Sequence, residues 1–323
     1  MVESRRELMA VRTDRLVTVA VPTFERSVEL TRAVDSLLAQ DYEPIEIIIG
    51  DNASADDTES VSRSYEAEFA SVRYLRQVRN LGPTPNFESL RCVGSGEYFM
   101  YLGDDDWVDS GYVGRCVAEL ERNPRSSLVA GVTRYHRAAV STDTEPRPIN
   151  VVEPDGPSRL LSYYRQVEGN GVFYGVVPAW ANEAAPPLRN VAGGDWLHVA
   201  ALAYLGNVTT VEDVEVHRTV DGMTVNLATV AATLGLGWFQ AHAPQVAIAY
   251  WVFRDVAWDS DVYRSEGRIG RLWLGFRAGS IVFLRFVPRA VLKFVRLALA
   301  NVAARVRRQR GRNGATSDRG ATA

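Results

Sequence analysis

Along the first hundred residues the apolar positions change period repeatedly. Leu16–Val21 (LVTVAV) is a short β-rich run that stops at Pro22-Thr23-Phe24. From Ser27, a suitable helix N-cap, Val28, Leu30, Ala33, Val34, Leu37 and Leu38 recur at three- and four-residue spacing, the period of a helix with one buried face. Tyr42-Glu43-Pro44 ends that pattern. Ile45–Ile49 (IEIII) is nearly continuous in apolar side chains and predicts a strand buried on both faces. Turn residues at 51–57 come next, then a helix through Val61, Tyr65 and Phe69 and a strand at Val72–Leu75. A short helix at Phe87–Val93 and a strand at Tyr98–Leu102 complete the series. Strands alternating with helices predict an α/β fold, a mostly parallel sheet flanked by helices. Such sheets bind ligands beyond the carboxyl ends of their strands, and PTFER, GDNAS and GDDD all follow such ends.

Beyond residue 136 the pattern loosens. Residues 138–160 carry four prolines and read as loop, followed by a helix near Leu160–Val167 and an aromatic-glycine segment at Asn170–Trp180. A helix at Asp195–Leu205 and strands at Val208–Val211 and Val214–Val216 come next. Gly222–Phe253 lacks Asp, Glu, Lys and Arg for 32 residues, long enough to test as a membrane span. Asn226, Gln240, His242, Pro244, Gln245 and three glycines interrupt it, so two buried helices are expected instead.

Composition narrows the class. With 46% apolar and 23% charged residues over 323 positions, the chain is neither disordered nor a small disulfide scaffold. Cys92 and Cys116 sit in no CxxC or Cys/His cluster, so no zinc site is expected. The N-terminus has no apolar leader-like stretch, and a cytoplasmic location is expected. Charge is uneven: the net of −3 includes fourteen basic residues against two acids in residues 264–323. Within residues 281–312 there are nine basic side chains and no acid. Arg285, Arg289, Lys293 and Arg296 fall on one helical face, amid Phe283, Leu284, Phe286, Val291, Leu292 and Phe294. A narrow basic stripe on a broad apolar face suits an anionic membrane surface better than nucleic acid; the plainer alternative is a helix packed on the globular body with a solvated arginine tail.

The acid triplet Asp104-Asp105-Asp106 carries the clearest chemistry. Adjacent carboxylates repel one another unless a cation or hydrogen-bond donors offset them, and Mg²⁺ commonly takes one or two carboxylates and fills its shell with phosphate oxygens. A solvated acidic turn is the plainer alternative for such a triplet alone. Its place at a strand end, beside two other polar strand ends, favours a ligand site. Asp51 and Asn52 can accept from and donate to a base edge, or form an Asx-turn that caps the next helix. Arg79 and Asn80 offer a cation and an amide to a phosphate, although a loop arginine can simply be solvated.

VTVAVPTFER, IEIIIGDNASADDT, RNLGPTPNFESL and GEYFMYLGDDDW, in that order, resemble the family 2 glycosyltransferases of GT-A fold. FYGVVPAW, GGDWLHVAALAYLGN and EVHRTVDGMTVN resemble the acceptor half of that family, so the likeness covers residues 16–227. It implies an inverting, metal-dependent hexosyl or deoxyhexosyl transfer from a nucleotide-diphospho-sugar to a hydroxyl acceptor. Pro22, Thr23 and Glu25 would line the nucleotide pocket, Asp51 would read the base, and Asp104 and Asp105 would hold the ribose. Asp106 would bind the Mg²⁺ or Mn²⁺ that bridges the diphosphate, and Asp195 of GGDW would be the general base. Trp107, Gly194 and Trp196 would lie on the acceptor side. The organisation implied is an arm (1–15), a nucleotide-sugar half (16–135), an acceptor and base half (136–227), a helical region (228–312) and a tail (313–323).

One departure stands out. Many relatives carry a histidine after a Tyr-Arg pair, whereas this chain has His217-Arg218-Thr219-Val220-Asp221, so His217 is expected to be a core histidine and not a metal ligand. Asp195 could alternatively serve only as a helix N-cap. A sugar nucleotidyltransferase or a Rossmann dehydrogenase would need a glycine-rich loop after the first strand, where PTFERS stands. The basic tail adds a glycan or glycolipid acceptor at the inner face of a membrane to the expectation. The alternative is a glycosyltransferase-like scaffold without turnover, against which the intact DDD and GGDW argue.

Overall fold

The apolar runs of the first hundred residues form one sheet in the computed structural model, which describes residues 15–136, 147–219 and 227–288. β1 (Val17–Thr23), β2 (Ile45–Asp51), β3 (Val72–Arg76) and β4 (Tyr98–Tyr101) lie in the order β3-β2-β1-β4, all parallel. Every residue of β1 is buried, as a strand covered on both faces requires. Four further strands follow: β5 (Trp107–Val108), β6 (Ser126–His136), β7 (Val177–Pro178) and β8 (Asn207–Thr219). β7 extends the first sheet antiparallel to β4, and β5-β8-β6 make a second, mixed sheet.

Helices α1 (Ser27–Leu38), α2 (Thr58–Glu68), α3 (Pro83–Arg91) and α4 (Tyr112–Arg122) follow strands in turn. Their apolar faces join the sheet in one core that includes Leu30, Val34, Ile47, Met100, Tyr112 and Val117. A second core lies between α5 (Gly156–Gln166), α6 (Ala179–Ala184) and α7 (Gly194–Leu205) and the helices beyond them. Those are α8 (Leu227–Thr233), α9 (Trp238–His242), α10 (Pro244–Arg254) and α11, helical over residues 267–288. Val252 of α10 and Leu274, Ala278 and Val282 of α11 share that core with Leu160 and Leu202.

Four local expectations are revised. Arg26, not Ser27, is the N-cap of α1, and the free Ser27 N–H donates instead to Asp56 Oδ2 at 3.2 Å. α3 starts four residues early because Pro83 suits the first turn of a helix, where its missing N–H costs nothing. The two short strands near 208–216 are one strand, β8, whose register slips opposite Gly131 and Val132. A Cβ on Gly131 would stand 2.5 Å from the Val214 carbonyl oxygen, so the irregularity fits only a glycine there. Among its described residues the uncharged stretch holds three short helices instead of two, because Gly235, Gly237 and Pro244 break them. α9 exposes Trp238 and Phe239 and buries none of its residues.

Candidate active site

Three strand ends of the first sheet converge as their parallel order dictates. Pro22 and Thr23 end β1, Asn52 follows β2, and Gly103, Asp104 and Asp105 follow β4; all line one pocket of about 430 Å³. Asn80, Pro83, Asn86 and Phe87 close one side, and Tyr174, Arg218 and Thr233 close another. The Asn52 amide donates to Asn80 Oδ1 at 2.9 Å and accepts from the Leu81 N–H at 2.8 Å, which fixes the loop that carries Asn80.

Other expected residues lie off this wall. Asp51 is fully buried beneath it, with one oxygen accepting from Tyr74 and Arg76, each at 2.7 Å, and the other from the Ser54 N–H at 2.8 Å. A buried carboxylate needs such partners, and they leave Asn52 to face the pocket. Glu25 is exposed at φ 52°, held through its N–H to Ser54 Oγ, and its neighbour Arg26 turns inward in its stead. Arg79 is exposed and outside the lining. Trp107 is stacked on His217 at 5.0 Å and covered by the Arg32 guanidinium at 3.9 Å. Trp196 packs on Phe286 of α11 at 5.2 Å. Neither tryptophan is among the residues that line the pocket, and both rings pack on neighbouring side chains.

The acid triplet is balanced by two arginines the sequence reading passed over. Arg26 Nη1 reaches Asp104 Oδ1 at 3.2 Å and Asp105 Oδ2 at 2.5 Å. Arg218 Nε lies 3.4 Å from Asp106 Oδ2, and the Thr219 N–H donates to Asp106 Oδ1 at 2.8 Å. Burial pushes the Asp104 carboxyl up to about 7 against the pull of Arg26, and it raises Asp106 against the pull of Arg218. Arg218 itself is held firmly charged by Tyr174 and Asp106 despite its burial. The Gly103 backbone packs so tightly that a Cβ would meet the Tyr174 hydroxyl at 2.8 Å and Asp106 Oδ2 at 3.0 Å.

Asp195 occupies the first turn of α7, where Gly193 is the N-cap at φ 75°. Its Oδ2 accepts from Asn170 Nδ2 at 2.9 Å, and Asn170 Oδ1 accepts from the buried Tyr163 hydroxyl at 2.7 Å. Burial raises the Asp195 carboxyl above its ordinary range, opposed by Asn170 and by the charge of Arg218. Arg218 thus feels both Asp106 and Asp195, although the two acids come from different halves of the chain. A Cβ on Gly194 would stand 2.1 Å from the Arg189 carbonyl oxygen, so Gly194 is a packing position.

His217 is partly buried, with 14% of its side chain exposed, and does not sit in the core. Its Nε2 pairs with Asp109 Oδ1 at 2.9 Å and its Nδ1 with His136 Nε2 at 3.0 Å. Asp109, Glu215 and His217 bring potential ligand atoms within 4.8 Å of one another, yet Glu215 is already forked onto Arg134. At the acid triplet the hard oxygen donors fit a divalent cation. Asp104 and Asp105 face the pocket, whereas both oxygens of Asp106 have protein partners.

Residues 18–176 match Glycosyl transferase family 2. Over 96 residues the chain is 38% identical to the GalNAc(5)-diNAcBac-PP-undecaprenol beta-1,3-glucosyltransferase of Campylobacter jejuni, covering 29% of this chain and 31% of that protein. Over 174 residues it is 29% identical to an uncharacterized protein of Mycobacterium tuberculosis, covering 53% of this chain and 49% of the relative. The chain therefore spans less than half the length of either relative. In fold it is similar to the mannosyltransferase PcManGT from Pyrobaculum calidifontis, solved in complex with GDP-Man and Mn2+. That likeness has TM-score 0.53 at 17% identity, over 92% of this chain and 86% of that one. It is also similar to S. aureus TarS 1-349, solved in complex with UDP-GlcNAc, at TM-score 0.51 and 14% identity over 81% of each chain. The chain thus has a GT-A-like α/β fold, and over residues 18–176, just under half of its length, it is similar to glycosyl transferase family 2.

Proposed function

We propose that the chain transfers a sugar, with inversion, from a nucleotide-diphosphate donor in the 430 Å³ pocket to a hydroxyl of a lipid-linked glycan. The observation that carries this reading is the convergence of three strand ends on one pocket that presents Asp104 and Asp105 beside the cations Arg26 and Arg218. Asn52 and Asn80, which line the pocket, would meet base and sugar edges, and Arg26 and Arg218 would meet diphosphate oxygens. Asp195 takes the proton of the acceptor hydroxyl as its oxygen bonds to the anomeric carbon, while the bond to the diphosphate breaks and its electron pair leaves with the nucleotide. A divalent cation on the triplet carboxylates, when bound, would supply further positive charge to the departing diphosphate. A lipid-linked acceptor is supported by the Campylobacter relative, whose name describes a polyprenyl-diphosphate glycan substrate. The basic residues of 281–312 support work at an anionic membrane surface; those beyond residue 288 lie outside the described residues.

A second reading of the charge balance has its own support. Both oxygens of Asp106 are engaged by Thr219 and Arg218, so Arg218 and Arg26 could stabilise the leaving diphosphate without a metal. Donor hydrolysis and nucleotide-diphosphate thermal shifts, each measured with Mn²⁺ and with EDTA, separate the two. Metal-dependent turnover and binding are expected. Turnover that is unchanged in EDTA overturns the metal role, and the absence of any nucleotide-dependent shift overturns the whole reading. A bound nucleotide at ~100 times its dissociation constant would stabilise the protein by ~2.7 kcal/mol, well within measurement.

A further inference from the structure

Helix α11 is apolar on two faces. Leu274, Ala278 and Val282 point into the second core. On the opposite side Ile269, Leu272, Trp273, Phe276, Phe283 and Leu284 are all exposed, from 41% for Leu272 to 84% for Ile269. Their spacing is that of one continuous helical stripe, so the exposure belongs to a whole face and not to scattered positions. The stripe continues onto α10. Tyr250 and Phe253 join Phe276 and Phe283 around an apolar groove of about 390 Å³. Gly279 lets the two helices approach this closely, since a Cβ there would stand 3.0 Å from the Ala249 carbonyl oxygen.

We propose that this α10–α11 face seats in the interfacial layer of an anionic lipid bilayer. Three observations choose that occupant. Tyr250, Trp258 and Trp273 are exposed at the face, and amphipathic aromatic rings favour the headgroup level. The exposed Arg268 and Arg277 flank the stripe on α11, residues 267–288 contain no acid, and residues 289–323 add nine basic residues against one acid. Two copies of the chain meeting through this face would bring like charges together, whereas anionic headgroups neutralise them. The mode is lying on the surface, because no helix among the described residues is long and apolar enough to cross a membrane. This extends the membrane reading proposed above from the basic residues of 281–312 to the structured face of residues 250–284, and it stands whether or not the chain transfers sugar.

The test uses the full chain with vesicles of about 3:1 phosphatidylcholine to phosphatidylglycerol, in low salt and in ~1 M salt, where charges are screened beyond about 3 Å. Phe276→Glu/Leu284→Glu changes two side chains that are 58% and 69% exposed, so its melting curve and circular dichroism should match the parent. The parent should sediment with vesicles in both salts, and the double variant should bind at least about tenfold more weakly in ~1 M salt. A second variant, with Arg305, Arg307, Arg308, Arg310 and Arg312 changed to Gln, should lose the extra binding that low salt gives the parent and keep the salt-resistant part. Equal salt-resistant binding by the double variant and the parent overturns the proposal. So does a parent that dimerises without lipid through a contact the double variant abolishes. Nucleotide-diphosphate binding, measured on the same samples, reports independently on the glycosyltransferase reading.

Discussion

Arg218 is a partly buried guanidinium that feels two carboxylates, Asp106 and Asp195, from different halves of the chain. Leaving water costs a charge several kcal/mol, and only close opposite charges and hydrogen bonds return it. Asp106 at 3.4 Å supplies one such partner, and the Tyr174 ring, with the guanidinium 4.8 Å from its centre, supplies a polarisable wall. The same positive charge draws the Asp195 carboxyl down while burial drives it up. Asp195 is therefore a carboxylate raised toward the range useful to a general base and steadied from one side by Asn170. Replacing Asp195 with Asn keeps the shape and the neighbours but removes the proton acceptor. Transfer should fall by roughly 10²–10⁴, with nucleotide binding little changed because Asp195 is outside the pocket lining. Steady-state kinetics beside a nucleotide titration decides the matter: a parallel collapse of both would make Asp195 a structural residue.

Among the elements, those with one unambiguous period were readable before folding. β1 and β2 are nearly continuous apolar runs ended by Pro22 and by Gly50-Asp51, too short for a helix and suited to a doubly covered strand. Pocket residues at those strand ends, Thr23, Asn52 and Asp104, were legible for the same reason. Arg218 was not, because its partner Asp106 is 112 positions away and only the β5–β8 pairing brings them together. Trp107 and Trp196 look like site residues when written beside DDD and GGD, yet packing claims both rings. The uncharged stretch misled in another way. A helix that is apolar all round reads as buried, and α9 leaves Trp238 and Phe239 in contact with solvent. Where α10 and α11 do pack, they do so through glycine. Gly275 and Gly279 sit where a Cβ would meet the Phe253 carbonyl oxygen at 2.8 Å and Phe253 Cβ at 3.1 Å. Gly279→Val should force the pair apart and destabilise the fold by about 1–3 kcal/mol, the usual cost of overpacking. Urea unfolding measures it, and an unchanged midpoint would mean the helices part freely.

At the scale of the whole molecule, the helices from residue 227 onward are part of the folded body. Thr233 at the end of α8 lines the 430 Å³ pocket, and α10 and α11 complete the core that positions α7 and so Asp195. α11 is fastened near its described end as well as along its middle. Arg285 Nη1 donates to the carbonyls of Tyr164 at 2.6 Å and Val167 at 3.0 Å, caught at the end of α5. The arginine that looked like one rung of a membrane-facing stripe is thus a clasp between two helices. A chain ending after Ser280 would lose that clasp together with Val282, which is fully buried, and the partly buried Ile281 and Phe286. At about 1.5–3 kcal/mol for each fully buried side chain, the loss approaches roughly 5 kcal/mol, comparable with the whole stability of many domains. That chain should be aggregated or only partly folded. One ending after Pro288 keeps every one of these contacts and should melt within a few degrees of the full chain. Thermal unfolding of the two truncations side by side checks the argument, and a cooperative, unshifted melt for the shorter one would show that α11 is an appendage.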